Sequence, residues 1–236
     1  MNILAIDSSG LAASCAILSE DVIRAEFFVC NKLTHSETLL PMVDQAINAS
    51  GLTLDEMDAV AVTSGPGSFT GLRIGAATAK GLAESIKKPL IGVPTVDALA
   101  CNMSGYDGYI VPLMDARRNE TYTGIYSFEK DELRVIRDQC AVPLTDIIAD
   151  VNSRGKKTVF LGDGVRGFEE QIIETCKVQF ELAPASHRLQ RASSVAVLAG
   201  KYYGTGRYTD AAGFVPVYLR TSQAEREREK ALNDNI

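Results

Sequence analysis

The residues whose types and spacing could do chemistry lie at the ends of apolar runs. Asp7 closes the run Asn2–Ile6 and is followed by Ser8-Ser9-Gly10. A strand ending in hydroxyls and a glycine can aim backbone N–H groups at a phosphate. Gly162-Asp163-Gly164 follows another run, Thr158–Leu161, where a glycine loop would lie against an adenosine. A matching second phosphate turn would open the second half of the chain, and Asp115-Ala116-Arg117-Arg118-Asn119 stands there without a glycine. Its arginines attract phosphate, but residues with a Cβ hold the backbone away. Asp7, Ser8, Ser9, Arg117, Gly162 and Gly164 are therefore the candidate nucleotide-binding set. The alternative is that all three segments are ordinary turns.

No self-sufficient catalytic set is legible. Two-metal hydrolysis needs several converging carboxylates; Asp7 and Glu37 are candidates, but the run Ala59–Thr63 ends in Ser64-Gly65-Pro66 where a further acid is wanted. His35 and His187 are the only histidines, and Thr38 and Leu39 give His35 no ligand partner one turn on, so no metal is expected. The five cysteines are scattered without a CxxC pair, and most read as buried small hydrophobes rather than zinc ligands or a disulfide framework. No Gly-x-Ser-x-Gly elbow is present.

The elements that must position these residues follow from periodicity. Asn2–Ile6, Ala12–Leu18 and Val22–Val29 read as an antiparallel meander, because their turns are too short for crossovers. From Thr34 the apolar residues recur at helical spacing, Thr34 with Glu37 reads as a capping box, and Gly51 closes the helix. Pro41 either kinks this helix or starts it. A strand at Ala59–Thr63, a helix at Phe69–Lys87, a strand at Leu90–Val93 and a helix from Thr95 to about Met103 complete the first half. The order β-β-β-α-β-α-β-α implies one mixed sheet with its first strand central.

That is the ribonuclease-H-like arrangement, the repeating half of the actin and sugar-kinase group. The second half reads as a shorter copy. Strands are expected at Tyr109–Met114, Thr121–Phe128, Leu133–Val142, Thr158–Leu161 and Phe214–Leu219, and helices at Thr145–Asn152, Val165–Cys176 and Ser194–Tyr203. The expected fold class is thus α/β, with two pseudo-duplicated ribonuclease-H-like (actin/sugar-kinase-type) domains on mixed sheets. Residues 1–104 form the first domain, 105–221 the smaller second, and 222–236 a polar tail.

Composition bounds the function. A net charge of −6 argues against a protein that grips nucleic acid unaided, and 46% hydrophobic residues exclude a disordered chain. No run is long enough to span a membrane, and no signal-peptide order opens the chain, so a cytoplasmic location is expected. In the helix from Phe69, Gly71, Gly75, Ala79 and Ala83 recur every four residues. Glycine inside a helix costs about 1 kcal/mol against alanine, so a close approach must offset it. Either the chain's own sheet or a helix of another subunit makes that approach.

Several segments together resemble the TsaB (YeaZ) family: Ile3–Ser9, His35-Ser36-Glu37 with Leu40-Pro41, Gly65-Pro66-Gly67-Ser68-Phe69-Thr70-Gly71-Leu72-Arg73-Ile74-Gly75, Pro94-Thr95 with Ala98-Leu99, Val111–Arg117 and Pro216-Val217-Tyr218-Leu219-Arg220. The resemblance spans nearly the whole chain. It implies a non-catalytic relative of TsaD, the subunit that transfers a threonylcarbamoyl group to the adenosine beside the anticodon. The catalytic relative binds its metal through two histidines on the first helix, and here His35 stands alone. The resemblance further implies a scaffold or activating subunit that pairs with TsaD through the first two helices and forms a homodimer by the same surface when alone. His35, Leu39, Leu40, Val43, Ile47, Gly71, Leu72, Gly75 and Ala79 are the expected interface residues. A TsaE-like ATPase joins the assembly, ATP or ADP is expected at a subunit interface without tight binding, and tRNA is held through the partners. The alternatives are an actin-like ATPase or small-molecule kinase, and a glycoprotease-like peptidase, which the absence of a nucleophile–base pair disfavours.

Overall fold

The computed structural model describes residues 1–31 and 34–220. The first sheet is built from β1 (Asn2–Asp7), β2 (Ala13–Ser19), β3 (Val22–Val29), β4 (Ala59–Gly65) and β5 (Leu90–Pro94), in the order β3-β2-β1-β4-β5. Strand β1 is central, antiparallel to β2 and parallel to β4. It is apolar on both faces because both are covered. Leu4 and Ile6 face α1 (His35–Ser50) and α2 (Phe69–Ser85), while Ile3 and Ala5 face the opposite layer. Thr34 and Glu37 close the capping box before α1, Pro41 lies inside that helix, and Gly51 ends it with φ 74°.

The second sheet repeats the plan. Strands β6 (Tyr109–Asp115), β7 (Glu120–Glu129), β8 (Glu132–Pro143), β9 (Thr158–Leu161) and β10 (Phe180–Leu182) lie in the order β10-β9-β6-β7-β8, which is the first sheet's order read from the other edge. Helices α4 (Leu144–Arg154) and α5 (Val165–Thr175) cover one face. The other face packs on Val96, Leu99 and Ala100 of α3 (Thr95–Cys101), so one helix serves both sheets. The buried Tyr126 hydroxyl donates to Asp97 Oδ1 at 2.8 Å and ties β7 to α3.

Three features depart from the sequence reading. The short α6 (Ala185–Arg188) and β10 were not foreseen. Helix α7 (Ala192–Gly204), expected within residues 105–221 as part of the second half, packs on the first sheet instead, where Ala192, Val195, Ala196 and Ala199 meet Ile3, Ala5 and Ala16. The expected strand Phe214–Leu219 is not one. Pro216 has no N–H to donate, and the segment makes a single ladder-like bond, from Val217 N–H to the Ser64 carbonyl at 2.6 Å. Phe214 is spent on the first core, where its ring sits where a Cβ on Gly92 would be. The polar tail 222–236 lies outside the described residues.

The small-residue stripe is intramolecular. A Cβ on Gly71 would collide with the Ser8 carbonyl oxygen, and one on Gly75 with Ser8 Oγ. Gly81, on the same helix, has open space around its Cα. Gly71→Ala should therefore lower unfolding stability by more than about 1 kcal/mol despite alanine's better helix propensity, whereas Gly81→Ala should raise it by about 1 kcal/mol. Urea denaturation of the two variants reads both signs.

Candidate ligand cleft between the sheets

The turn after β1 shapes the floor of a cleft between the two halves. Asp7 is buried, and its Oδ1 accepts from Ser9 N–H at 2.8 Å, Ser9 Oγ at 2.6 Å and Thr63 Oγ1 at 3.2 Å. Its Oδ2 has no partner among the described residues. Burial raises the Asp7 pKa, against the Ser9 and Thr63 hydrogen bonds that lower it. Ser8 Oγ donates to the Gly71 carbonyl at 2.8 Å, and Ser68 N–H donates to the Ser9 carbonyl at 2.7 Å. A Cβ on Gly67 would strike Ser9 as well. The β1 turn and the start of α2 are thus locked together by their own polar groups. His35 Nε2–H donates to the Gly10 carbonyl at 2.9 Å, which anchors the start of α1 to the same turn.

The cleft has a volume of about 610 Å³ and is lined by Ser9, Gly10 and Phe69 from the first half, Asp115, Arg117, Arg118 and Asp163 from the second, and Tyr218 and Arg220 from the C-terminal segment. Of the expected nucleotide-binding residues, Ser9 and Arg117 reach it. Asp7 and Ser8 lie beneath its floor. Gly162 and Gly164 pack against the Leu113 carbonyl, where a Cβ on either would clash. Their amides are also committed, Gly162 N–H to Arg188 O at 2.7 Å and Gly164 N–H to Leu113 O at 3.0 Å. The glycines thus allow close packing of β9 on β6, and it is Asp163 between them that faces the cleft.

The expected interface set is largely internal. Leu39, Val43, Gly71, Leu72, Gly75 and Ala79 are buried against the chain's own sheet, which corrects their assignment to a partner surface. Ile47 is partly buried in the same core. His35 is half-buried, and Leu40 is 56% exposed on α1.

Sequence reasoning missed Asp163, Phe69, Tyr218 and Arg220 as cleft residues. Asp163 carried a signal, a carboxylate between two glycines. The others meet only through tertiary structure. Phe69 and Tyr218 place their ring centroids 4.6 Å apart, and the Arg73 guanidinium lies 3.9 Å over Phe69. Among the described residues no group of three or more His, Cys, Asp or Glu side chains is placed to hold a metal ion.

Comparison with known proteins decides the family. Residues 31–228 match the family model of TsaD, tRNA N6-adenosine threonylcarbamoyltransferase. The chain is 32% identical to the tRNA threonylcarbamoyladenosine biosynthesis protein TsaB of Bacillus subtilis, over 95% of this chain and 96% of the relative. It belongs to the TsaB (YeaZ) family. The TsaB of Escherichia coli is 30% identical over the same shares of the two chains, 95% and 96%. The solved structure of YeaZ from Pseudomonas aeruginosa superposes with a TM-score of 0.76 at 26% identity, over 92% of this chain and 99% of that one. The ethanolamine utilization protein EutJ of Carboxydothermus hydrogenoformans, at 13% identity and TM-score 0.51 over 85% of this chain and 90% of that one, shares the fold alone.

In this TsaB-family chain Asp163 is the titratable group of the cleft with the clearest displacement. Burial pushes its pKa up to about 6, the Asp115 amide pulls it down, and the Asp115 carboxylate pushes it up. The folded state therefore holds this proton more tightly than the unfolded chain, and stability is lost as pH rises through the window from about 4 to about 6. Asp163→Asn removes the charge, and should stabilise the protein by about 3 kcal/mol near neutral pH, at 1.36 kcal/mol per pKa unit. The gain should shrink toward pH ~4. Denaturant titrations of both proteins across that range measure it.

Proposed function

We infer that the chain acts in the biosynthesis of threonylcarbamoyladenosine in tRNA, as a non-catalytic scaffold or activating subunit whose catalytic partner is TsaD-like. The observation that carries this reading is similarity along almost the full length to relatives named for that biosynthesis. A supporting observation is that the floor of the cleft is closed by its own hydrogen bonds, with the Gly162 and Gly164 amides committed to protein carbonyls and the Ser9 amide to the Asp7 carboxylate. An independent ATPase would need those donors for phosphate. A TsaE-like ATPase, a homodimer of the isolated chain and a nucleotide at a subunit interface belong to the same reading.

The partner surface in this reading is the outer face of α1 and α2, which pack side by side on the sheet and expose Leu40, Ala77 and Gly81. Small residues there allow close approach of a partner helix, and Leu40 supplies an apolar anchor.

Reconstitution tests the role. TsaD, TsaE, ATP, threonylcarbamoyl-adenylate and unmodified tRNA are combined with and without the chain, and modified adenosine is quantified by mass spectrometry. Modification should require the chain, and equal modification without it overturns the activating role. Leu40→Arg should weaken association with TsaD by tenfold or more in titration calorimetry while leaving the melting temperature of the isolated chain unchanged, since the side chain is exposed.

A further inference from the structure

The rim of the cleft carries chemistry that a scaffold leaves unused. Arg117 and Arg118 project from the turn after β6 and line the cleft, with φ of 61° and 57°, and Asn119 follows at 60°. Three successive left-handed residues with side chains are unfavourable, and such turns persist where the surroundings hold them. Among the described residues neither arginine has an ion-pair partner. Two guanidiniums are thereby presented to solvent outside any ion pair among the described residues.

Opposite them stands Tyr218, 37% exposed and held from both sides. Val217 N–H donates to the Ser64 carbonyl at 2.6 Å on the first half, and Arg220 Nη1 donates to the Ala116 carbonyl at 2.8 Å and pairs with Glu120 at 2.8 Å on the second. The segment 216–220 is a strap across the cleft that fixes an aromatic ring at its mouth.

We propose that the rim formed by Arg117, Arg118 and Tyr218 binds an unpaired nucleotide of an RNA strand. Guanidinium forks match phosphate oxygens, and an aromatic face stacks on a base of any identity. The Asp115 and Asp163 carboxylates on the same wall can accept N–H groups from a base edge. The cavity of about 610 Å³ holds one nucleotide. A free nucleoside triphosphate fits less well. It concentrates its charge on one end and needs backbone donors, and at the floor those of Ser9, Gly162 and Gly164 are already spent. A phosphodiester strand brings one charge per nucleotide, which two arginines at the rim can meet. The net charge of −6 confines this contact to a weak, salt-sensitive affinity, suited to a subunit that adds to a partner's grip.

The inference rests on the tRNA-modification role. Its test uses the full chain, alone and with the TsaD partner, titrated into a fluorescein-labelled anticodon stem-loop at low ionic strength and followed by anisotropy. The chain should bind, and Arg117→Glu with Arg118→Glu should lower the affinity roughly tenfold or more. Tyr218→Ala should weaken it at least about fivefold and Tyr218→Phe should keep it, since stacking needs the ring and not the hydroxyl. Absence of wild-type binding, wild-type affinity in both the charge-reversed and alanine variants, or full displacement of the RNA by equimolar ATP overturns the proposal. Modification measured on the same samples separates the two readings. Rim-dependent RNA binding with modification that does not need the chain overturns the activating role alone. Modification that needs the chain, with RNA binding indifferent to the rim, overturns the rim alone.

Discussion

The backbone of α2 pressed against the turn after β1 is the constraint on which the rest depends. Glycine at positions 67, 71 and 75 lets the helix start within contact of Ser8 and Ser9, where a methyl group would collide. That contact aligns Ser8 Oγ with the Gly71 carbonyl and the Ser68 amide with the Ser9 carbonyl. It also leaves Asp7 buried, with hydrogen bonds on one carboxyl oxygen only. The helix cost of the glycines is offset by these bonds and by the apolar contact that close approach permits. Everything that lines the first wall of the cleft is placed by this junction.

The second wall is placed by the sharing of α3. Because Val96, Leu99 and Ala100 pack on the second sheet while Ala98 packs on the first, the two halves have one continuous interior rather than a loose joint. The Tyr126–Asp97 hydrogen bond sits in that interior, and burial raises the Asp97 pKa while the tyrosine donation lowers it. The return of α7 to the first sheet and of the strap to Ser64 crosses the boundary twice more. Cleft width is therefore a property of the whole chain.

The first half was legible because its signals are local. Short apolar runs with tight turns, the Thr34–Glu37 box and Gly51 each act within a few residues, and β3 falls on the residues expected of it. The stripe at Gly71, Gly75 and Ala79 was legible as a close approach, but spacing cannot tell which backbone approaches. Only the position of Ser8 in space decides that. The segment 214–220 failed for the same reason: its apolar residues suggest a strand, yet Phe214 is claimed by Gly92 and Pro216 withholds a donor. The site was least legible of all. Phe69, Asp163 and Tyr218 come from distant elements, and no local pattern links them.

The pseudo-duplication explains the cleft's asymmetry. Both halves place a strand end, Asp7 and Asp115, at the same point of the same sheet order. After Asp7 the turn is small and is covered by glycine-bearing helix backbone, so its polar groups are consumed inside the molecule. After Asp115 the turn carries arginines, and the Arg117 amide folds back on Asp115 Oδ1 at 2.7 Å while the side chains point outward. No helix backbone approaches that turn as α2 approaches the first, and each left-handed residue there bears a side chain. One wall is thus closed and neutralised by packing and the other remains charged and open. A ligand entering from solvent meets the arginines and the strapped tyrosine first, and the floor offers it few free donors. Recognition at the rim, rather than enclosure at the floor, is the mode this geometry favours.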